Sequence, residues 1–338
     1  VNQPARFLSL LCLLPVLPCA GTGAPLIEAP SLQQDNSMEA PPDRDFLRVA
    51  TWNIEWFPAV QRNGTQQNAQ WQTAAVVNLI QEFKPDILAV QEMKDQNSLN
   101  LINKNLGSRG FTYSACTLYG SDNKNPPKIP MPNIQQDGLL SRVPWEAVHE
   151  LDFMSLPPGP DHPVRGWLVA RFAYKGLSFT LINGHLAAGA PAKKPDQPPS
   201  ESSRRTAAIE ELQHELDRLN LDPYRDKIII LGDFNTDYFD SAYQNDPTFK
   251  KLASLGFQHS WGTHVRRETI TRPAQTGGGA TDATLDYIWF SSGWGETLPS
   301  AQVLAKGAAK RSGVMGGDEP GLASDHYPVW VDIPLPGK

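Results

Sequence analysis

Cysteine is scarce: the 338 residues hold three, at positions 12, 19 and 116. Cys116 has no Cys, His or Asp pair near it at ligand spacing, so neither a disulfide framework nor a thiolate metal site is available in the body of the chain. It reads as a partly buried small hydrophobe. There is no Walker glycine loop, no Gly-x-Ser-x-Gly elbow, and no His-Glu-x-x-His or Cys-x-x-Cys pattern. These absences remove nucleotide-loop, covalent-serine and zinc-type chemistry. An excess of positive charge is also missing: 30 Lys and Arg against 36 Asp and Glu leave a net charge of −6. That is not the footprint of a static nucleic-acid binder. A turnover enzyme is still allowed, because a bound divalent cation supplies positive charge locally. No internal repeat is visible, and beyond the N-terminus no apolar run is long enough to cross a bilayer.

The one long apolar run, Phe7 to Leu17, follows Arg6 and precedes the small residues Ala20, Gly21, Gly23 and Ala24. This is the layout of a secretory signal peptide over residues 1–24, and it predicts an exported protein, periplasmic or extracellular. Cys19 raises a lipoprotein anchor as the minor alternative, with Pro18 a poor residue at such a site. Residues 25–45, rich in Pro, Gln, Ser and Asp, read as a flexible linker. The remaining roughly 290 residues suit one large α/β domain or two small ones.

From residue 46 a unit recurs: a short, β-branched apolar run that ends in polar residues. Phe46 to Thr51 runs into Asn53-Ile54-Glu55, and Ile87 to Val90 into Gln91-Glu92. Ser178 to Ile182 runs into Asn183-Gly184-His185, and Ile228 to Leu231 into Gly232-Asp233-Phe234-Asn235. Two later sites reverse the order: Asp286 precedes Tyr287 to Phe290, and Asp325-His326 precedes Pro328 to Ile333. Polar groups at the ends of some strands and the starts of others share one rim only if the sheets are mixed. Helices are predicted at Gln66 to Phe83, which stops before Lys84-Pro85, and at Ser200 to Asn220. In the second helix Ile209, Leu212, Leu216 and Leu219 form the buried stripe, with Arg204, Arg205, Glu211 and Glu215 off it. The loops 191–199 and 276–284 are expected to border the site.

The strand-end residues offer carboxylate, amide and imidazole groups, a donor set that suits Mg²⁺, Mn²⁺ or Ca²⁺. Residues two apart in an extended segment point the same way, so Asn53 with Glu55, Asn183 with His185, and Asp233 with Asn235 should project in pairs. Each motif alone is a common turn or cap; together, in this order, they point to a site.

Thr51-Trp52-Asn53-Ile54-Glu55, Val90-Gln91-Glu92, Gly138-Leu139-Leu140-Ser141-Arg142, Asn183-Gly184-His185-Leu186, Leu231-Gly232-Asp233-Phe234-Asn235, Leu285-Asp286-Tyr287 and Ser324-Asp325-His326-Tyr327-Pro328-Val329 resemble the motifs of the endonuclease/exonuclease/phosphatase superfamily. The resemblance extends over residues 46 to 333 and implies a catalytic domain at 46–335. It implies a four-layer α/β sandwich: two mixed β-sheets packed face to face with helices outside. It also implies roles. Glu92 is the principal metal carboxylate, with Asn53 and Asp325 beside it. Asp233 orients or deprotonates the attacking water, and Asn235 bonds the phosphoryl oxygens. Asp286 orients His326, and His185 lies near the scissile phosphate. The role of Glu55 varies within the superfamily. Arg165 is a further phosphate clamp to weigh against a plain surface arginine.

The expected activity is Mg²⁺-dependent hydrolysis of a phosphoester by a monomer, with nucleic acid as substrate and Mn²⁺ as a possible substitute metal. The alternatives are a sphingomyelinase-like lipid phosphodiesterase and an inositol or small-molecule phosphatase. Trp289, Phe290 and Trp294 are the residues that could supply a membrane-contacting hairpin. A non-catalytic binding module is disfavoured, because no key position is replaced.

Overall fold

The computed structural model describes residues 26–28, 33–34, 38–39, 41, 43–59, 64–119, 135–153, 159, 161–189, 201–243, 246–262, 264–278 and 281–337. The expected leader and the loop 191–199 lie outside these residues. Among the described residues, fourteen strands and four α-helices follow one another as β1 (Leu26–Glu28), β2 (Gln33–Gln34), β3 (Phe46–Phe57), α1 (Gln66–Phe83), β4 (Ile87–Met93), α2 (Gln96–Leu106), β5 (Tyr113–Cys116), β6 (Gln136–Ser141), β7 (Trp145–Leu151), β8 (Trp167–Tyr174), β9 (Leu177–His185), α3 (Glu201–Arg218), β10 (Ile228–Asp233), α4 (Pro247–Ser254), β11 (Phe257–His259), β12 (Asp286–Ser291), β13 (Gln302–Val303) and β14 (Val329–Pro334). No helix among the described residues is long and apolar enough to cross a membrane.

The strands form two seven-stranded sheets, in the orders β1-β7-β8-β9-β10-β12-β11 and β13-β14-β3-β4-β6-β5-β2. Each sheet is antiparallel except for one central parallel pair, β9 with β10 and β3 with β4. The sheets are therefore mixed, and strand ends and strand starts can meet at one rim. Two stretches of the expected linker are not free chain: β1 pairs with β7 and β2 with β5 at the sheet edges.

Strand alternation builds the layers. On β3, Leu47 and Val49 join the core between the sheets, while Ala50 and Trp52 join the second core beneath α1 and α2. On β4, Ile87 and Ala89 face inward, and Leu88 and Val90 face the helices. Helices α3 and α4 cover the other sheet through Ile209, Leu212, Leu216, Phe249 and Leu252. Cys116 is fully buried, and burial pushes its thiol pKa well up, which leaves it inert.

Two predicted side chains of α3 sit differently from expectation. Arg205 is fully buried: its guanidinium bonds Asp246 Oδ2 (2.6 Å) and the carbonyls of Ala187 (2.8 Å) and Gly189 (3.0 Å). Glu215 is buried against Arg218. Glycine is required where β9 and β10 run abreast. A Cβ on Gly232, at φ +140°, would lie 1.8 Å from Gly184 O, and one on Gly184 would lie 2.3 Å from the Trp167 ring.

Candidate active site

The inter-sheet space changes from apolar to polar toward one rim. Beyond Val49 on the inward face of β3 come Thr51 and then Asn53. Gln91 Nε2 donates to Thr51 Oγ1 (3.0 Å) and to Asn183 Oδ1 (2.7 Å). Asn183 Nδ2 reaches across to the carbonyls of Gly138 (3.0 Å) and Val90 (3.2 Å). This buried polar layer ties the sheets together just below the site.

Above it, the ladder sets His185, Asp233 and Asp286 abreast on three neighbouring strands. Asn53 Nδ2 donates to Asp233 Oδ2 (2.9 Å) and to Glu92 Oε1 (3.1 Å). His326, just before β14, donates from Nδ1 to Asp286 Oδ2 at 2.8 Å and turns Nε2 toward Asp233 Oδ2 at 3.8 Å. His185 Nε2 lies 3.5 Å from Asp233 Oδ2 and 4.0 Å from Glu92 Oε1. Asn235 fixes its own loop: its N–H donates to Asp233 Oδ1 (2.8 Å) and its side chain to Leu186 O (3.0 Å). The strand-end residues nominated from sequence thus converge.

Glu92 reaches the rim through an irregular backbone. Strict alternation would put it on the helix-facing side with Leu88 and Val90. A register shift between Val90 and Met93, with Glu92 at φ +64°, turns it back to the site. A matching shift follows Asn53, with Glu55 at φ +29° and Trp56 at φ +54°, and Asn235 stands at φ +48°. Four left-handed non-glycine residues in one place is stored strain of the kind found at functional sites. The bulge also separates Asn53 from Glu55, which were expected to project together: Glu55 accepts from Gly316 N (2.7 Å) while Asn53 looks to Asp233.

Burial and charge polarise these groups. Burial pushes the Asp233 carboxyl up to about 7, against the pull of His326. Burial also lowers the proton affinity of His326, but Asp286, Asp325 and Asp233 outweigh it and hold the imidazole well above its ordinary range. His185 is driven the other way, well down, by burial, Arg165 and His326. The two imidazoles are thus a charged one and a neutral one. Burial and then Asp325 raise Glu92. His185 Nδ1 and Asp286 Oδ1 are buried without a partner among the described residues.

The cavity above these residues holds about 550 Å³. Arg165 lines it and donates to His185 O (3.2 Å) and to the Gln135 side chain, so it is a wall residue rather than a surface arginine. Arg272, not nominated from sequence, also lines it and holds Asp325 Oδ2 through Nε (3.2 Å). Thr281 and Ala283 bring the loop 276–284 to the cavity wall, where Ala283 pairs with Arg272.

Two sets of side chains could take a cation. Asp233, Asp286 and His326 bring ligand atoms within 4.8 Å of one another, and Asp286 and His326 are already bonded to each other. Glu92 and Asp325 fit better: Asp325 raises Glu92, a charge conflict that a divalent ion relieves. Asn53 here turns its NH₂, not its carbonyl, toward Glu92, and its Oδ1 accepts from Glu55 N (3.0 Å). It can serve as a ligand only with its amide reversed.

Residues 50–326 match the model of the Endonuclease/Exonuclease/phosphatase family. The chain belongs to this family. It is a family of metal-dependent phosphoester hydrolases. No curated protein sequence matches it significantly. Among solved structures it is similar to SmcL, at 16% identity and TM-score 0.60, over 85% of this chain and 99% of that one. Sphingomyelinase C from Streptomyces griseocarneus is similar at 16% identity and TM-score 0.59, over 86% and 100%. D. rerio TDP2 complexed with single-strand DNA product is similar at 16% identity and TM-score 0.51, over 86% and 99%. At such identities the likeness is one of fold.

Proposed function

We propose that the protein is an exported, Mg²⁺-dependent phosphodiesterase that cleaves nucleic acid. The observation that carries the hydrolytic reading is the Asp286–His326 pair, with its free Nε2 facing Asp233 3.8 Å away. Asp233, with a proton affinity near neutrality, positions an attacking water and takes its proton. His326, held charged by Asp286, meets the charge that grows on the phosphoryl oxygens. The side-chain amide of Asn235, with one N–H committed to Leu186 O, adds a neutral donor. Glu92 and Asp325 would hold the cation. Bound there, Mg²⁺ neutralises the phosphate and stabilises the leaving oxygen, and Mn²⁺ is the expected substitute.

The choice of nucleic acid over lipid is supported by the aromatic residues. Trp289 and Phe290, the core of a conceivable membrane hairpin, are buried within β12, and Trp294 packs on Phe179 and Phe290. The site cavity is walled by charged and polar side chains.

Purified protein given plasmid DNA, RNA, sphingomyelin vesicles and inositol phosphates, each with Mg²⁺ or with EDTA, tests this. Nucleic acid should be cut with Mg²⁺ and left intact with EDTA. Cleavage of sphingomyelin alone would transfer the assignment to lipid, and undiminished turnover in excess chelator would falsify the metal requirement. Mass analysis of exported protein tests the leader, with a mature start expected between residues 19 and 25; an intact Val1 on unexported protein would refute it.

A further inference from the structure

A second cavity, of about 620 Å³, adjoins the catalytic one, and Thr281 lines both. Between them runs a short ribbon in which Arg272 and Ala283 exchange backbone bonds (2.9 and 3.0 Å). Arg272 and Ala283 face the catalytic cavity; Ala274 and Asp282 face the second. Thr281 is exposed, so an extended ligand can pass over it from one cavity to the other.

The wall of this second cavity mixes chemistries. Ile270 and Ala274 offer half-buried apolar surface. Arg266 is fixed: it grips the Asp237 carboxylate with both Nη atoms and donates to Asp282 O (2.8 Å). Asp282 is fixed too, with Oδ1 accepting from Ala274 N (2.6 Å). Arg267 differs. It is exposed, and no side chain holds its guanidinium among the described residues. A flat cationic donor next to apolar surface, with a carboxylate and a hydroxyl nearby, matches a nucleoside: two apolar faces, and an edge of donors and acceptors. An acyl chain would cover the Arg267 guanidinium without giving it a partner.

On the footing that nucleic acid is the substrate, we propose that this second cavity binds the nucleoside next to the scissile phosphodiester, with the base against Ile270 and Ala274 and under the Arg267 guanidinium. The neighbouring nucleoside is then held on one side of the Thr281 ridge while the phosphate lies on the other. This gives an acidic protein a local grip on a polyanion that its overall charge does not supply.

The test compares wild type, Arg267→Ala and Ile270→Ala in two measurements. The first is anisotropy of a labelled single-stranded oligonucleotide in EDTA, where nothing is cleaved. The second is kcat/KM with Mg²⁺ on that oligonucleotide and on bis(para-nitrophenyl) phosphate, a diester that carries no sugar or base. Each variant should weaken oligonucleotide binding about tenfold, the scale of one lost base contact. Its kcat/KM should fall in step on the oligonucleotide and stay within about twofold on the small diester. If wild type cuts nucleic acid and neither variant changes oligonucleotide binding, or if both substrates fall together, the nucleoside subsite is wrong while the nuclease reading stands. If wild type cuts only lipid, both fall.

Discussion

At the scale of single residues, Asp286 leads the three carboxylates that keep His326 charged. The carboxylate lies 2.8 Å from Nδ1, and burial alone would strip the proton. His326→Ala and Asp286→Ala should each lower kcat by roughly two orders of magnitude, as losses of preorganised electrostatic groups do. The double variant should cost little more than the worse single one, because the pair acts as a unit. Glu92→Ala should differ in kind, with the rate partly restored by high Mg²⁺. Melting temperature measured on the same preparations separates this from a purely structural tie between strands: near-normal kcat in folded His326→Ala protein removes the assignment. Most of these residues were legible because each terminates or opens a run of apolar residues, a signal local in the chain. Arg205 and Arg272 were not legible as site supports. Their partners are distant in sequence: Asp246 lies 41 residues from Arg205 and Asp325 lies 53 from Arg272. An ion pair of that kind leaves no periodicity to read.

At the scale of elements, the long strands and helices follow their apolar patterns closely: α1 occupies Gln66–Phe83, as its spacing predicts, and β12 starts at Asp286. Short elements escaped. Helix α2 has Asn or Gln at five of its eleven positions, carries a short stripe of Leu99, Ile102 and Leu106, and is started by the Asp95 cap on Ser98 N. The bulges escaped as well, because alternation is a rule about regular strands, and Glu92 serves the site only where the strand is irregular. The strut between the sheets yields a prediction at this scale. Replacing Asn183 by Ala removes the side-chain donor to the carbonyls of Val90 and Gly138 and the acceptor of one Gln91 N–H. Each was buried with a partner, so the variant should lose about 2–4 kcal/mol in urea unfolding. A loss below about 0.5 kcal/mol would mean that water or repacking replaces the strut.

For the molecule as a whole, acidity is carried inward as well as on the surface. Asp137 on β6 and Glu150 on β7 are buried. Burial raises Asp137 to about 8 and Glu150 to about 7. Their satisfied oxygens accept from Tyr119 Oη (3.2 Å) and Leu118 N (2.7 Å), while Asp137 Oδ1 has no partner among the described residues. In the unfolded chain such carboxyls titrate near about 4. Between that value and about 7–8 the folded state therefore binds more protons than the unfolded one, and these groups make stability fall as pH rises through that window. Their stabilising contribution is complete below about pH 4 and gone above about pH 8. Other groups titrate too, so the measurement is a difference. Asp137→Asn keeps an acceptor for Tyr119 and cannot ionise. Its melting temperature should lie close to wild type at about pH 5 and a few degrees above it at about pH 8.5, with the gap opening steadily between. If the gap stays constant across that range, Asp137 is ionised in the folded protein and the nearby Arg165, which lowers its proton affinity, compensates its charge.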